Sequence, residues 1–265
     1  MSYPPNPPYP DTQMREWMQF AHELADLARP IARRYFRQPL VVENKADASP
    51  VTMADRQIEQ AMRAAIAARF ADHAVLGEEF GEQGDSALRW VLDPIDGTRS
   101  FICGVPLFGT LIALLDRGRP LLGIIDMPML DERWAAGPGS PATWNGAAVR
   151  TSPCADLSSA KLFSTAPDLF AGEDARRIAQ VESAVAVRRF GGDCYQYGLL
   201  ASGQIDLVIE AGLQRYDVMA LVPIIESAGG RICGWDGAPL SERFDGRVVA
   251  AANETLLAQT LARLA

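Results

Sequence analysis

The sequence predicts a mixed, layered α/β protein, and three observations carry that reading. Segments with apolar residues at helical spacing alternate with short apolar runs, two neighbouring runs are joined as a hairpin, and no internal repeat or interdomain linker interrupts the series. A hairpin makes an antiparallel pair, so a purely parallel doubly wound sheet is disfavoured.

The opening MSYPPNPPYP is Pro-rich and polar, and residues 1–10 read as a disordered tail outside the core. From Asp11, residues Trp17, Phe20, Leu24, Leu27 and Ile31 recur at helical spacing, with Asp11 or Thr12 as the N-cap and Pro30 as a kink. A second helix follows SPVT, with Ile58, Met62 and Ile66 in one stripe, Thr52 as its cap and Asp55 in its first turn. HAVLGEEFGEQG reads as a short strand feeding an acidic loop, and a buried strand at 89–92 leads into DPIDGT. The runs 108–115 and 121–127, joined by DRGRP, form the hairpin. Beyond PGSPATWNG come strand KLFST, helix EDARRIAQVESAV, strand VAVRRF, helix DCYQYGLLASG and strand QIDLVIE. Helix DVMALVPIIESAGG, strands RICGW and RVVAAA, and a last helix from about Asn253 complete the series. Residues 11–265 form a single domain, which the loop at 137–150 divides into subdomains of approximately 11–145 and 146–265.

With 48% hydrophobic and 22% charged residues, the 265-residue chain can bury a core without staples. Its net charge of −8 argues against a nucleic-acid surface, which needs clustered Lys and Arg. No apolar run approaches the roughly 18–20 residues that cross a bilayer, so neither nucleic acid nor membrane is an expected partner. Four cysteines without CxxC spacing, and no leader pattern at the N-terminus, point to the cytoplasm. His22 and His73 are the only histidines, too few for a His-rich zinc centre, so the ligands of any metal are oxygens.

In WVLDPIDGTRSF, residues 90–101, an apolar run meets two aspartates, a proline, a glycine and a threonine within a few positions. Pro94 lacks an N–H, so the strand is expected to end there, with Asp93 and Asp96 converging at its C-terminal edge. Two charges about 4 Å apart repel by roughly 4 kcal/mol at an effective dielectric of about 20, so they need a cation, a shared proton or wide solvent exposure. Gly97 permits close backbone approach, and the Gly97 and Thr98 amides open a helix whose N-terminus accepts an anion. Taken alone, the segment also reads as a capped surface turn, and Asp217 in QRYDVMAL as an N-cap. Together with the GEE loop, these residues could supply the oxygen-only shell that Mg²⁺ prefers, and paired ions suit in-line phosphoryl chemistry.

GEE at 77–79, DPIDGT at 93–98 and YDVMALVPIIESAGG at 216–230 resemble the inositol monophosphatase family of Mg²⁺-dependent, lithium-sensitive sugar phosphatases, over nearly the whole chain after the tail. The resemblance implies a layered αβαβα sandwich of the inositol monophosphatase and fructose-bisphosphatase type, a homodimer, and a small phosphomonoester substrate. It implies two to three Mg²⁺ per site: Glu78, Asp93 and the Ile95 carbonyl on the first ion, Asp93, Asp96 and Asp217 on the second, and Glu78 touching a third through water. Thr98, hydrogen-bonded to Asp55, would help a metal-activated water attack phosphorus, with Glu78 also in the catalytic set. The Gly97 and Thr98 amides would hold the phosphate, and Lys45 would stand near the mouth.

Within that family, the subgroup hydrolysing histidinol phosphate, a step of histidine biosynthesis, has sequences similar to residues 96–114 and 189–210. Inositol phosphatases usually carry a small residue at the position of Asp193 and a Trp-Asp pair at that of Tyr216-Asp217. The resemblance implies that Asp193 and Glu210 favour a cationic leaving group, with Arg189 orienting substrate; charge-assisted hydrogen bonds of this kind contribute about 1.5–3 kcal/mol each. The competing readings are Asp193 as a helix cap, Glu210 as a strand end facing water, Arg189 as an ordinary strand-end charge, and Tyr195 and Tyr197 as packing residues. Glu210 also matches a polyol-binding position, so inositol 1-phosphate or another small sugar or nucleotide phosphate is the alternative substrate. A catalytically silent homologue is a further alternative.

Overall fold

The computed structural model describes residues 9–39, 43–44, 50–241 and 244–265, so Lys45 and the first eight residues of the Pro-rich segment lie outside the described residues. Tyr9, the first described residue, packs edge-on against Trp17 at 4.8 Å. Helix α1 (Asp11–Tyr35) then runs unbroken through Pro30, with Pro10 at its N-cap in place of Asp11 or Thr12. A short ladder of β1 (Glu43–Asn44) and β2 (Pro50–Val51) precedes α2 (Met53–Arg69). This helix starts as expected: the Thr52 hydroxyl accepts from the Ala54 amide and Asp55 accepts from the Thr52 amide, a reciprocal capping box.

Strands β3 (Ala74–Gly77), β4 (Gly81–Gln83) and β5 (Leu88–Asp96) come next, then helix α3 (Thr98–Ile102). The hairpin β6 (Gly109–Asp116) and β7 (Arg119–Met127) continues into β8 (Glu132–Ala136), β9 (Thr143–Trp144) and β10 (Ala147–Ala148). These form an eight-stranded sheet in the order β10-β9-β8-β7-β6-β5-β3-β4, antiparallel except where β3 meets β5. The division expected near residue 145 falls inside the β9–β10 hairpin.

The rest of the chain gives β11 (Lys161–Ser164), α4 (Gly172–Glu182), β12 (Val187–Phe190), α5 (Asp193–Ala201) and β13 (Leu207–Glu210). The helix expected over 217–230 is two, α6 (Arg215–Val218) and α7 (Leu221–Ser227), followed by β14 (Arg231–Cys233), β15 (Val248–Ala251) and α8 (Glu254–Leu264). The second sheet has the order β12-β11-β13-β15-β14, with β11 parallel to both its neighbours and the remaining pairs antiparallel.

The two-residue period of the strands sorts side chains into layers. Trp90 and Leu92 of β5, Ile112 and Leu114 of β6, and Leu122 and Ile124 of β7 pack with Trp17, Leu24, Ile58 and Met62 of α1 and α2. Val91, Leu111, Ala113 and Ile125 belong to a different core, with Tyr197 and Leu200 of α5, Leu221 and Ile224 of α7, and Val208 and Ala250 of the second sheet. Leu207, Ile209 and Val249 pack with Ile178 of α4 and Leu256 of α8. The layers therefore run helix, sheet, helix, sheet, helix, the predicted αβαβα order. Covering a sheet on both sides is why β6 reads as the continuous buried run GTLIALLD rather than an alternating one.

An ion-pair group fastens α1 to the first sheet. Asp126 of β7 is fully buried and accepts from Arg29 Nη2 at 2.5 Å, Arg29 Nε at 3.1 Å and Arg133 Nε at 2.6 Å. Removing one partner of such a group leaves charge stranded beneath the surface. Asp126→Ala is therefore expected to lower stability by about 3–5 kcal/mol, read as a shift in the urea midpoint. A change below about 1 kcal/mol would show that the two guanidiniums find water instead.

Candidate active site

The site begins with an irregularity in β5. Asp93 pairs with Leu111 and Asp96 with Gly109, so three steps along β5 span two along β6. In a regular strand residues three apart face opposite sides; the extra residue of this bulge cancels that, sending Ile95 into the α1–α2 core and leaving Asp93 and Asp96 on one side. The expectation that the strand ends at Pro94 is corrected: β5 continues to Asp96 with Pro94 buried in the bulge, where an absent N–H is tolerated. Thr110 Oγ1 donates to the Pro94 carbonyl at 2.8 Å and so ties the bulge to β6. Gly97 then turns the chain into α3 at φ +83°, a left-handed backbone that favours glycine.

Asp217 joins these two from α6, and one carboxylate oxygen of each of Asp93, Asp96 and Asp217 lies within 4.8 Å of the others. Asp217 is not the N-cap of α6; Gln214 holds that position, and Asp217, third in the helix, accepts from the Gln214 amide with Oδ2 at 2.7 Å in a capping box while it belongs to the cluster. Asp96 Oδ2 accepts from the Cys194 amide at 2.6 Å, while Asp93 Oδ1 is buried without a hydrogen-bond partner. Burial, followed by the charges of Glu78, Asp96 and Asp217, pushes the Asp93 carboxyl well above its ordinary range. Burial and the charges of Asp193 and Asp217 do the same to Asp96, and burial, with Glu78 among the neighbouring charges, pushes Asp217 up to about 7. The cluster is short of positive charge, and its donors are oxygens; that combination fits a hard divalent cation.

A pocket of about 140 Å³ opens over the cluster, lined by Glu78, Asp93, Ile95, Asp96, Gly97 and Thr98, and also by Asp193, Tyr197, Glu210 and Asp217. Asp193 is not the cap of α5; Gly192 holds that position, and Asp193 Oδ2 accepts from Ser100 Oγ at 2.7 Å. Glu210 does not face water: it is 2% exposed, Oε1 accepts from the Thr165 amide at 3.0 Å and Oε2 from Tyr197 Oη at 2.8 Å. Tyr197, for which the sequence leaves pocket lining and packing both open, does both: it is buried in the core and lines the pocket, one helical turn after Asp193. Thr165 and Cys194 also line the pocket and carried no signal in the sequence.

Two expectations are not met. Arg189 is exposed on β12, an edge strand, and does not line the pocket. Thr98 does not bond to Asp55: its hydroxyl donates to the Ile95 carbonyl at 3.1 Å, satisfying the strand-to-helix turn, while Asp55 Oδ2 accepts from the Thr52 amide and hydroxyl at 2.9 and 2.6 Å. Asp55 Oδ1 stays buried without a hydrogen-bond partner, and burial pushes this carboxyl up to about 6. Both histidines lie elsewhere, His73 accepting from the Trp90 indole and His22 beside Arg133.

A five-layer α/β fold with an acidic pocket beside the bulge in β5 defines a site whose oxygen donors suit a hard cation. Comparison with known proteins gives the family. The sequence profile of the inositol monophosphatase family matches residues 13–265, and the chain belongs to that family of phosphatases. It is 47% identical over 230 residues to the Bifunctional phosphatase IMPL2, chloroplastic, of Arabidopsis thaliana, covering 86% of this chain and 66% of the Arabidopsis protein. It is 38% identical over 242 residues to a histidinol-phosphatase of Chlorobaculum parvum, covering 90% and 93%. Among solved structures, an inositol monophosphatase from Zymomonas mobilis superposes with a TM-score of 0.88 at 44% identity, covering 94% and 98% of the two chains.

The raised carboxyls are expected to contribute a pH dependence to the stability of the metal-free protein. Folded, they retain protons that the unfolded chain releases near pH 4, so stability falls as pH rises from about 4 through about 7. In EDTA, Asp217→Asn is expected to raise Tm at pH 8 and flatten that fall. An unchanged fall in the variant would mean that the cluster is not electrostatically crowded.

Proposed function

We propose that this phosphatase hydrolyses L-histidinol phosphate to L-histidinol and phosphate, with two to three Mg²⁺ held by Glu78, Asp93, the Ile95 carbonyl, Asp96 and Asp217. The all-oxygen donor set and the unpartnered, buried Asp93 Oδ1 support a metal of that kind. When bound, Mg²⁺ would acidify a water and neutralise charge growing on the phosphoryl and leaving oxygens. Asp55 and Thr98 orient the attacking water, Asp55 through its buried, unpartnered Oδ1, and the Gly97 and Thr98 amides receive phosphate. Glu78 belongs to the catalytic set as well as to the metal shell.

One observation carries the substrate: Asp193 stands in the pocket with Glu210, within range to influence its charge. Asp193 sits at φ +44°, uncommon for a residue with a side chain, and Ser100 fixes its carboxylate. Burial raises both carboxyls, and an ammonium and a protonated imidazole would restore their charged forms, which a neutral polyol would not. The Chlorobaculum parvum relative supports this reading; the Zymomonas mobilis neighbour supports inositol 1-phosphate as the competing substrate. The family resemblance supports a homodimer, and four free cysteines support a reducing, cytoplasmic setting. No helix among the described residues is long and apolar enough to cross a membrane.

Mg²⁺-dependent phosphate release is expected to be faster from histidinol phosphate than from inositol 1-phosphate. Asp193→Asn is expected to lower kcat/KM for histidinol phosphate about 10- to 100-fold, the equivalent of about 1.5–3 kcal/mol, and to leave inositol 1-phosphate turnover nearly unchanged. Equal or reversed preference in the wild type would sink the histidinol reading. Asp93→Asn is expected to abolish several orders of magnitude of turnover on either substrate while circular dichroism stays native. Near-normal activity in that variant would defeat the metal assignment.

A further inference from the structure

We propose that Glu59 and Arg63 of α2 are a positioning pair that sets the turn carrying Glu78 against the acidic cluster. The inference rests on the reading of Glu78 as a metal ligand. Glu59 lies one helical turn after Asp55 and is fully buried. Its Oε2 accepts from the Glu79 amide at 2.7 Å, and its Oε1 accepts from the Phe80 amide at 3.2 Å and from Arg63 Nε at 2.7 Å. Arg63 reaches onward, Nη2 donating to the Gly81 carbonyl and Nη1 to Gln83 Oε1 at 3.3 Å.

The turn between β3 and β4 is thus bracketed residue by residue: positions 79 and 80 by the carboxylate, position 81 by the guanidinium. Glu78 is fixed from its other side, where its amide donates to the Leu92 carbonyl of β5 at 3.2 Å. The fit is tight, since a Cβ on Gly77 would stand 2.0 Å from Glu59 Oε1. Apolar packing contributes little to holding this turn, because Phe80 at its tip is 51% exposed. A buried ion pair is weak as a source of stability alone. Here both charges are spent on backbone atoms of one short turn, and what they fix is where Glu78 points. Neither side chain lines the pocket, so the pair acts through Glu78.

The test is Mg²⁺ binding to the full-length protein by titration calorimetry, alongside the Mg²⁺-induced rise in Tm and a melting curve in EDTA. Glu59→Gln is expected to weaken Mg²⁺ binding about 10-fold, as loss of an outer partner does, and to shrink the Mg²⁺-induced rise. In a Glu78→Gln background the same change is expected to add less than about 2-fold, because its target is already gone. Mg²⁺ affinity that is unaffected by Glu59→Gln, or weakened equally in both backgrounds, overturns the positioning role. If Glu78→Gln alone leaves Mg²⁺ binding intact, the ligand reading of Glu78 fails and takes the pair with it. Should Glu59→Gln not fold, Arg63→Gln in the same two backgrounds reads the same coupling, with the same expected non-additivity and the same overturning results.

Discussion

The bulge in β5 is the constraint on which the site depends. It sets Asp93 and Asp96 on one side of a strand whose preceding run, Trp90 to Leu92, is apolar and packed on both faces. Like charges on a flexible loop would swing apart into water; these cannot. β6 holds one edge of the strand and β3 the other, Thr110 fastens the Pro94 carbonyl, and Ile95 anchors the bulge in the α1–α2 core. Rigid packing turns repulsion into a standing demand for protons or a cation.

The surrounding helices add to that demand by using their first turns twice. Asp55 closes the capping box of α2 with one oxygen and leaves the other buried and unpartnered, Asp217 closes the capping box of α6 while joining the cluster, and α5 gives Asp96 a backbone donor from Cys194. One turn further along two of those helices, Glu59 and Tyr197 reach the polar groups next to the site, the β3–β4 turn and Glu210. Structure and chemistry therefore share the same backbone bonds, and a substitution meant to probe one also touches the other.

The alternation of helices and strands, the hairpin and the Thr52 cap were legible in the sequence because each is a local pattern of apolar spacing or turn chemistry. The motifs carried the acidic residues for the same reason. What escaped was non-local. Proline rules say where a strand is interrupted, yet only pairing with β6 shows that the chain absorbs Pro94 as a bulge and goes on. The Thr98 hydroxyl bonds not to Asp55 but to the Ile95 carbonyl, three residues back in its own turn, a contact that only the folded strand-to-helix turn creates. Glu210 lines the pocket as the substrate reading expects; its competing reading as a strand end facing water fails because Tyr197 of α5, the helix just before β13, covers it. Arg189 looked useful from its neighbours in sequence and is carried away from the pocket by β12.

One measurement tests directly whether a divalent cation displaces protons held by the cluster. Mg²⁺ can be titrated calorimetrically into the wild-type protein at about pH 6.5 in two buffers of different ionisation enthalpy, then again above about pH 8. Proton release on binding at the lower pH, fading at the higher, is the expected result. Mg²⁺ binding with no proton exchange at about pH 6.5 would contradict it.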